Sequence, residues 1–172
     1  MPLWIVYHPP STFTTPEIKK EFAQAITAIY NTILPAFYVN VLFQPIEPSS
    51  FLIGAVARPS PHVAANEPGQ KSDVPFIRLT IEHIARSLPT PEIRDSFLKK
   101  IDAAMKPFIA DMGYDWEYSI DETSRDLWKV NGMVPPKQDT KAEKEWRETN
   151  VPAPFKKADG GLEGEGMEGS KL

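Results

Sequence analysis

The 172-residue chain contains no cysteine. That excludes disulfides, thiol nucleophiles, CxxC redox centres and most structural zinc sites. Histidine is scarce, and His8, His62 and His83 stand far apart, without the spacing of a metal-ligand set. No run of 18 apolar residues is present to span a bilayer, and the N-terminus has neither the basic stretch nor the long apolar core of a secretory leader. Positive charge is not in excess. Against 19 Lys and Arg stand 23 Asp and Glu, a net charge of −4, with the basic residues scattered. Neither nucleic acid nor a membrane surface is therefore an expected partner. A reduced compartment, the cytoplasm, is the expected location.

What is present is the composition of a soluble globular protein, 41% hydrophobic and 24% charged, long enough for one domain with a real core. Glycine is concentrated at the C-terminus, where five of the nine glycines follow Asp159 without an aromatic or β-branched residue among them. Such a segment buries too little apolar surface to offset its ordering entropy. The expected layout is a domain over 2–155 and a disordered tail over 156–172. The polar stretch RPSPHVAANEPGQKSDVP (58–75) reads as a long loop.

An internal repeat sets the architecture. TPEIKKEFAQAITAIY at 15–30 aligns without gaps to TPEIRDSFLKKIDAAM at 90–105, an offset of 75 residues with seven of sixteen positions identical. Thr15 and Thr90 suit helix N-caps, Pro16 and Pro91 the first helical position, and Glu17 and Glu92 the first turn, where the helix dipole favours an anion. Ile18, Phe22, Ile26, Ile29 and Ile33 form one apolar stripe, repeated by Ile93, Phe97, Ile101, Ala104 and Phe108. Pro107 should kink the second helix or end it early. Strand-like runs flank both helices: LWIVYH and FYVNVLFQ around the first, FIRLTIEHIA and YDWEYSID around the second. The reading is an α/β (α+β) fold of two β-α-β units, about 2–45 and 76–121. Together they make a four-stranded mixed sheet with both helices on one face. The uncovered face points to oligomerisation. FLIGAV (51–56) reads as a short extra strand suited to a neighbouring subunit's edge, and 122–155 as an extension over the site or onto a neighbour.

Pro2 lies directly behind the initiator methionine and directly ahead of the first strand. Aminopeptidases generally remove Met1 before proline, which would leave Pro2 as a free secondary amine, a proton acceptor that no internal proline can be. A duplicated β-α-β unit with proline at position 2 resembles the tautomerase superfamily, and its cis-3-chloroacrylic acid dehalogenase-like branch in detail. PLWIVYH, the TPEI…F…AIT helix, VNVLFQ, FLIGAV, HIAR, WEY, and LWKVNG followed by EKEW carry the likeness from Pro2 to about Asn150. The resemblance implies Pro2 as catalytic base, a homotrimer with sites at subunit boundaries, a small-molecule carboxylate substrate, and no metal or cofactor.

The same resemblance singles out further residues. Arg86 stands where relatives hold the substrate carboxylate, a role that suits a guanidinium; a surface arginine is the alternative. His83 lies where some relatives carry a cation, and equally reads as a partly buried histidine. On an unbroken strand it would face away from Arg86. Tyr118 in WEY is a candidate hydrogen-bond donor or a core tyrosine. Tyr30 replaces the histidine of the dehalogenase pattern, and Asn131 lies near the position of its water-activating glutamate, where an amide can orient substrate but not act as base. Arg58 and Arg78 read as structural. The expected activity is tautomerisation of small 2-oxo acids or their enols. The alternatives are a dehalogenase or hydratase of unsaturated acids, and a catalytically weak oligomeric binding protein of the same fold.

Overall fold

A computed structural model describes residues 1–58 and 74–162. The repeat is built as the sequence implies. Helix α1 (Pro16–Tyr30) and helix α2 (Pro91–Met105) are the same length, and each starts from a threonine whose side chain accepts a backbone N–H, Ile18 to Thr15 and Ile93 to Thr90. Each cap contributes about 1 kcal/mol. The second helix ends two residues before Pro107, as the missing proline N–H requires.

Four strands form the main sheet in the order β2-β1-β5-β6: β1 (Leu3–His8), β2 (Asn40–Pro45), β5 (Phe76–His83) and β6 (Asp115–Glu122). Each repeat contributes a parallel pair, β1 with β2 and β5 with β6. The two units join antiparallel through β1 and β5, with Trp4 opposite Ile81 and Val6 opposite Leu79. Strand alternation puts Trp4, Val6, Ile77, Leu79 and Ile81 on one face. There they form one buried cluster with Phe22, Ile26 and Tyr30 of α1 and with Phe97, Ile101 and Met105 of α2. The opposite face carries half-buried Leu3, Ile5 and Tyr7 and an exposed Leu42. The apolar stripes are not buried throughout. Ile33 and Ile93, which extend them at the ends, are 46% and 47% exposed.

FLIGAV does not supply a lone edge strand. It folds on itself as a two-stranded hairpin, β3 (Leu52–Ile53) against β4 (Val56–Ala57), because Gly54 and Ala55 both take positive φ, the backbone of a tight hairpin turn. Arg58 pins the end of that hairpin to Asp115 at the start of β6 and lies over the Phe76 ring. The long loop expected over 58–75 lies, for residues 59–73, outside the described residues.

The extension beyond β6 packs on its own chain. Helix α3 (Lys141–Thr149), capped by Thr140, sets Trp146 against Phe37, Tyr38 and Phe155. Asn150 Oδ1 accepts the Phe37 N–H at 2.9 Å. Order continues past 156, where the tail was expected to begin. Lys157–Gly160 forms a 3-10 turn whose Gly160 is buried against the Phe155 ring and accepts the Lys137 N–H. The aromatic anchor Phe155, just ahead of the glycines, holds this turn down; residues 163–172 lie outside the described residues. Among the described residues no helix is long and apolar enough to cross a membrane.

Candidate active site

The site gathers around the start of the chain. Pro2 is buried immediately ahead of β1, its carbonyl accepting the Asn40 N–H at 2.9 Å. The terminal amine, on Met1, is sunk beside two guanidiniums. Burial, then Arg125, then Arg86 lower its pKa to about 4, and Glu82 opposes them. Both causes disfavour an ammonium.

His83 and Arg86 both reach this terminus because β5 stops at His83. Ala85 then takes φ +76, a backbone region unusual for alanine, and the chain turns before Arg86. His83 is buried, with its ring 4.7 Å from Phe97 and 6.1 Å from Tyr30. Burial lowers its pKa, Glu122 raises it, and the terminal amine and Arg86 lower it further. Neither ring nitrogen has a partner among the described residues.

Arg86 is held tightly. Its two terminal nitrogens donate to both carboxylate oxygens of Glu143 at 3.1 Å, and to the carbonyls of Ala85 and Ile33 at 2.9 and 2.8 Å. Glu143, 2% exposed, also accepts the Asp139 N–H at 2.8 Å. Arg86 thus keeps its charge near the terminus while its fork is spent on protein oxygens. Arg125, which no spacing in the sequence singles out, is less occupied. Nη2 donates to the carbonyls of Pro135 and Pro136, while buried Nη1 finds no acceptor among the described residues. The guanidinium lies 5.8 Å from the Trp128 ring, which packs edge-on to Tyr38 at 4.7 Å. Tyr38 Oη and Trp128 Nε1 are likewise buried without partners.

Two clefts meet at Arg86, Ser87 and Gln138. One, of about 550 Å³, runs between the helices past Ile29, Tyr30, Ile33, His83, Ile93 and Phe97. The exposed ends of the two apolar stripes therefore form cleft walls. The other, of about 630 Å³, is bounded by Arg125, Lys137, Glu122 and Leu162.

The remaining sequence candidates disperse. Tyr30 lines the first cleft, but its hydroxyl accepts the Trp4 indole N–H at 3.1 Å, and burial raises its pKa. Tyr118 points to α2, donating to Asp102 at 3.1 Å and stacking on Trp116; burial first, then Asp102, raises its pKa to about 12. Within one chain it is not brought to the terminus. Asn131 occupies a left-handed turn position ahead of Gly132, between the bridged Val130 and Met133. Arg58 and Arg78 make ion pairs with Asp115 and Glu117. Tyr38, Arg125, Trp128 and Glu143 were missed: Trp128 and Glu143 stand in the LWKVNG and EKEW stretches, but no spacing there gives them a role, and the four meet only through packing of the extension.

The buried histidines carry a pH dependence. His8 and His83 both have pKa values lowered, chiefly by burial. The unfolded chain therefore binds protons near pH 6.5 that the folded chain refuses. Stability is full above that pH and falls as pH drops below it. Urea midpoints at pH 7.5 and 5.5 should differ, with a loss of up to about 1.4 kcal/mol per pH unit per histidine; identical midpoints would show that neither is held neutral.

A duplicated β-α-β sheet with the chain terminus sunk among arginines defines a tautomerase-type protein. Residues 1–151 match the Tautomerase_3 family, described as "Putative oxalocrotonate tautomerase enzyme", and the chain belongs to this family of the tautomerase superfamily. It is similar to native RhCC of Rhodococcus jostii, 35% identical over 89% of this chain and 99% of that one, with a TM-score of 0.77. It is also similar to a protein of Aspergillus fumigatus described as a probable enzyme, 40% identical over 90% and 98%, TM-score 0.75. A member of the cis-3-chloroacrylic acid dehalogenase family shares the fold at 14% identity over 87% and 92%, TM-score 0.58. No curated protein matches the chain.

Proposed function

We propose that the protein is a cofactor-independent tautomerase of small 2-oxo acids, with Pro2, freed by removal of Met1, as the general base. The observation that supports this reading is the burial of the chain terminus beside Arg86 and Arg125, which lowers the pKa of an amine there. A neutral amine is the form that accepts a proton. Pro2 takes a proton from the carbon next to the keto group as the C=C bond forms and the carbonyl pair moves onto oxygen; the prolinium then gives its proton to the enolate oxygen, leaving the enol and a neutral amine. A cation facing that oxygen lowers the barrier. Arg86, oriented by Glu143, contributes positive charge, and His83 lies beside the amine as a neutral hydrogen-bonding ring. Glu143, bound by Arg86 and the Asp139 N–H, is not free to activate water for a hydratase reaction. Tyr118 and Asn131 would enter the site only from a neighbouring subunit.

The first test is intact mass of the purified protein, then phenylpyruvate enol–keto conversion followed from pH 4 to 9. The depressed amine requires kcat/KM to be lost as pH falls through its lowered pKa, so the acid limb should lie well below pH 8, the ordinary value of an α-amine. A limb at 8 or above, or a retained Met1 with full activity, would remove Pro2 as the base. We also propose a homotrimer joined through the face carrying Ile5 and Leu42. Light scattering should give three times the 19.3 kDa chain mass, and Ile5→Glu should give the single chain. A monomeric wild-type protein would rule this out.

A further inference from the structure

We propose that Arg125, Tyr38 and Trp128 form the pocket that binds the carboxylate of an anionic ligand, in place of Arg86. Three observations carry this. Tyr38 and Trp128 are buried and Arg125 is half-buried with its Nη1 sunk, and each ends in a polar hydrogen with no acceptor among the described residues: Tyr38 Oη, Trp128 Nε1 and Arg125 Nη1. They belong to one packed unit, Tyr38 against Trp128 at 4.7 Å and Arg125 over the same indole at 5.8 Å. The neighbouring carboxylate that could have satisfied them, Glu143, already binds Arg86 through both oxygens.

An indole N–H and a guanidinium only donate, so the missing partner supplies lone pairs. Leaving such donors unpaired inside a protein is costly, and native structures rarely do so without a reason. A positively charged set of donors is best satisfied by an anionic oxygen pair, for which a free Nη1 and a hydroxyl offer two separate contacts. The second cleft opens at Arg125, and the terminal amine lies within the electrostatic reach of the same guanidinium. A carboxylate held by Arg125 would therefore lie near the terminus. Only the statement that this anion is the substrate rests on the proposed function; the binding pocket itself does not.

The test uses oxalate, a 2-oxo acid mimic that cannot enolise, titrated calorimetrically into the mature protein and followed by tryptophan emission. Wild type should bind. Arg125→Gln should weaken binding about tenfold or more, as loss of a charge-assisted contact does, Arg125→Lys less so, and Tyr38→Phe by a few-fold. The emission change should vanish in Trp128→Phe. If Arg125→Gln does not fold, the Tyr38→Phe and Trp128→Phe variants decide the matter. Undiminished binding in the folded variants, or no binding by wild type, overturns the proposal. Pro2→Ala should lose activity yet still bind oxalate, which separates the anchor from the base.

Discussion

Replacing Pro2 by alanine is expected to lower kcat/KM for phenylpyruvate enol–keto conversion by about two orders of magnitude or more, the span that a positioned general base contributes. Alanine at position 2 still permits removal of Met1, so the variant keeps an amine at the same place. What it loses is the secondary amine and the ring that holds the lone pair in one direction as the chain enters β1. The pocket is untouched, since the Pro2 carbonyl that receives the Asn40 N–H is a backbone group. Stability and oligomeric state should therefore match wild type while the rate collapses. A variant within about threefold of wild type would mean that the buried terminus is an architectural feature of the sheet and that the chemistry lies elsewhere.

The second large effect is on stability. Glu143→Ala is expected to destabilise the fold by about 3–5 kcal/mol, because it strands the Arg86 guanidinium in a buried setting. At 2% and 11% side-chain exposure the Glu143–Arg86 pair is shielded from the solvent screening that weakens surface ion pairs. The Asp139 N–H loses its acceptor as well. Because the pair joins α3 to the segment after β5 and, through the Ile33 carbonyl, to the end of α1, its rupture loosens the extension as a unit. Chemical denaturation of the variant measures the loss. Replacing both partners together with apolar residues, Arg86→Met with Glu143→Leu, should recover much of it, since the desolvation cost of the charges disappears with them. A single-variant cost below about 1 kcal/mol would show that the pair is solvated in solution.

The repeat was legible because its parts are local. A threonine cap, a proline at the first helical position and an apolar stripe each act within a few residues, and an offset of 75 residues displays them twice. That the two units share one mixed sheet was expected from the duplication, while their antiparallel junction through β1 and β5 is a feature of the fold. The hairpin at Leu52–Ala57 reads as one short strand in the sequence because two positive-φ residues in its middle turn the chain, and only Gly54 announces that. The tail boundary was placed too early because composition weighs the glycines without seeing Phe155 ahead of them.

The site divides in the same way. That a proline stands at position 2, and that His83 and Arg86 follow the fifth strand closely, belongs to the linear chain. That Arg86 spends its fork on Glu143, a residue 57 positions away, does not. Nor does the meeting of Tyr38, Arg125 and Trp128, which come from the first repeat and from the extension after the second. Periodicity and caps act over one or two helical turns, so the sequence by itself determined the two β-α-β units and the residue at their head. Charge pairing and donor satisfaction depend on distances between segments far apart in the chain. Only tertiary packing decided which arginine is bound by the protein and which keeps a free N–H.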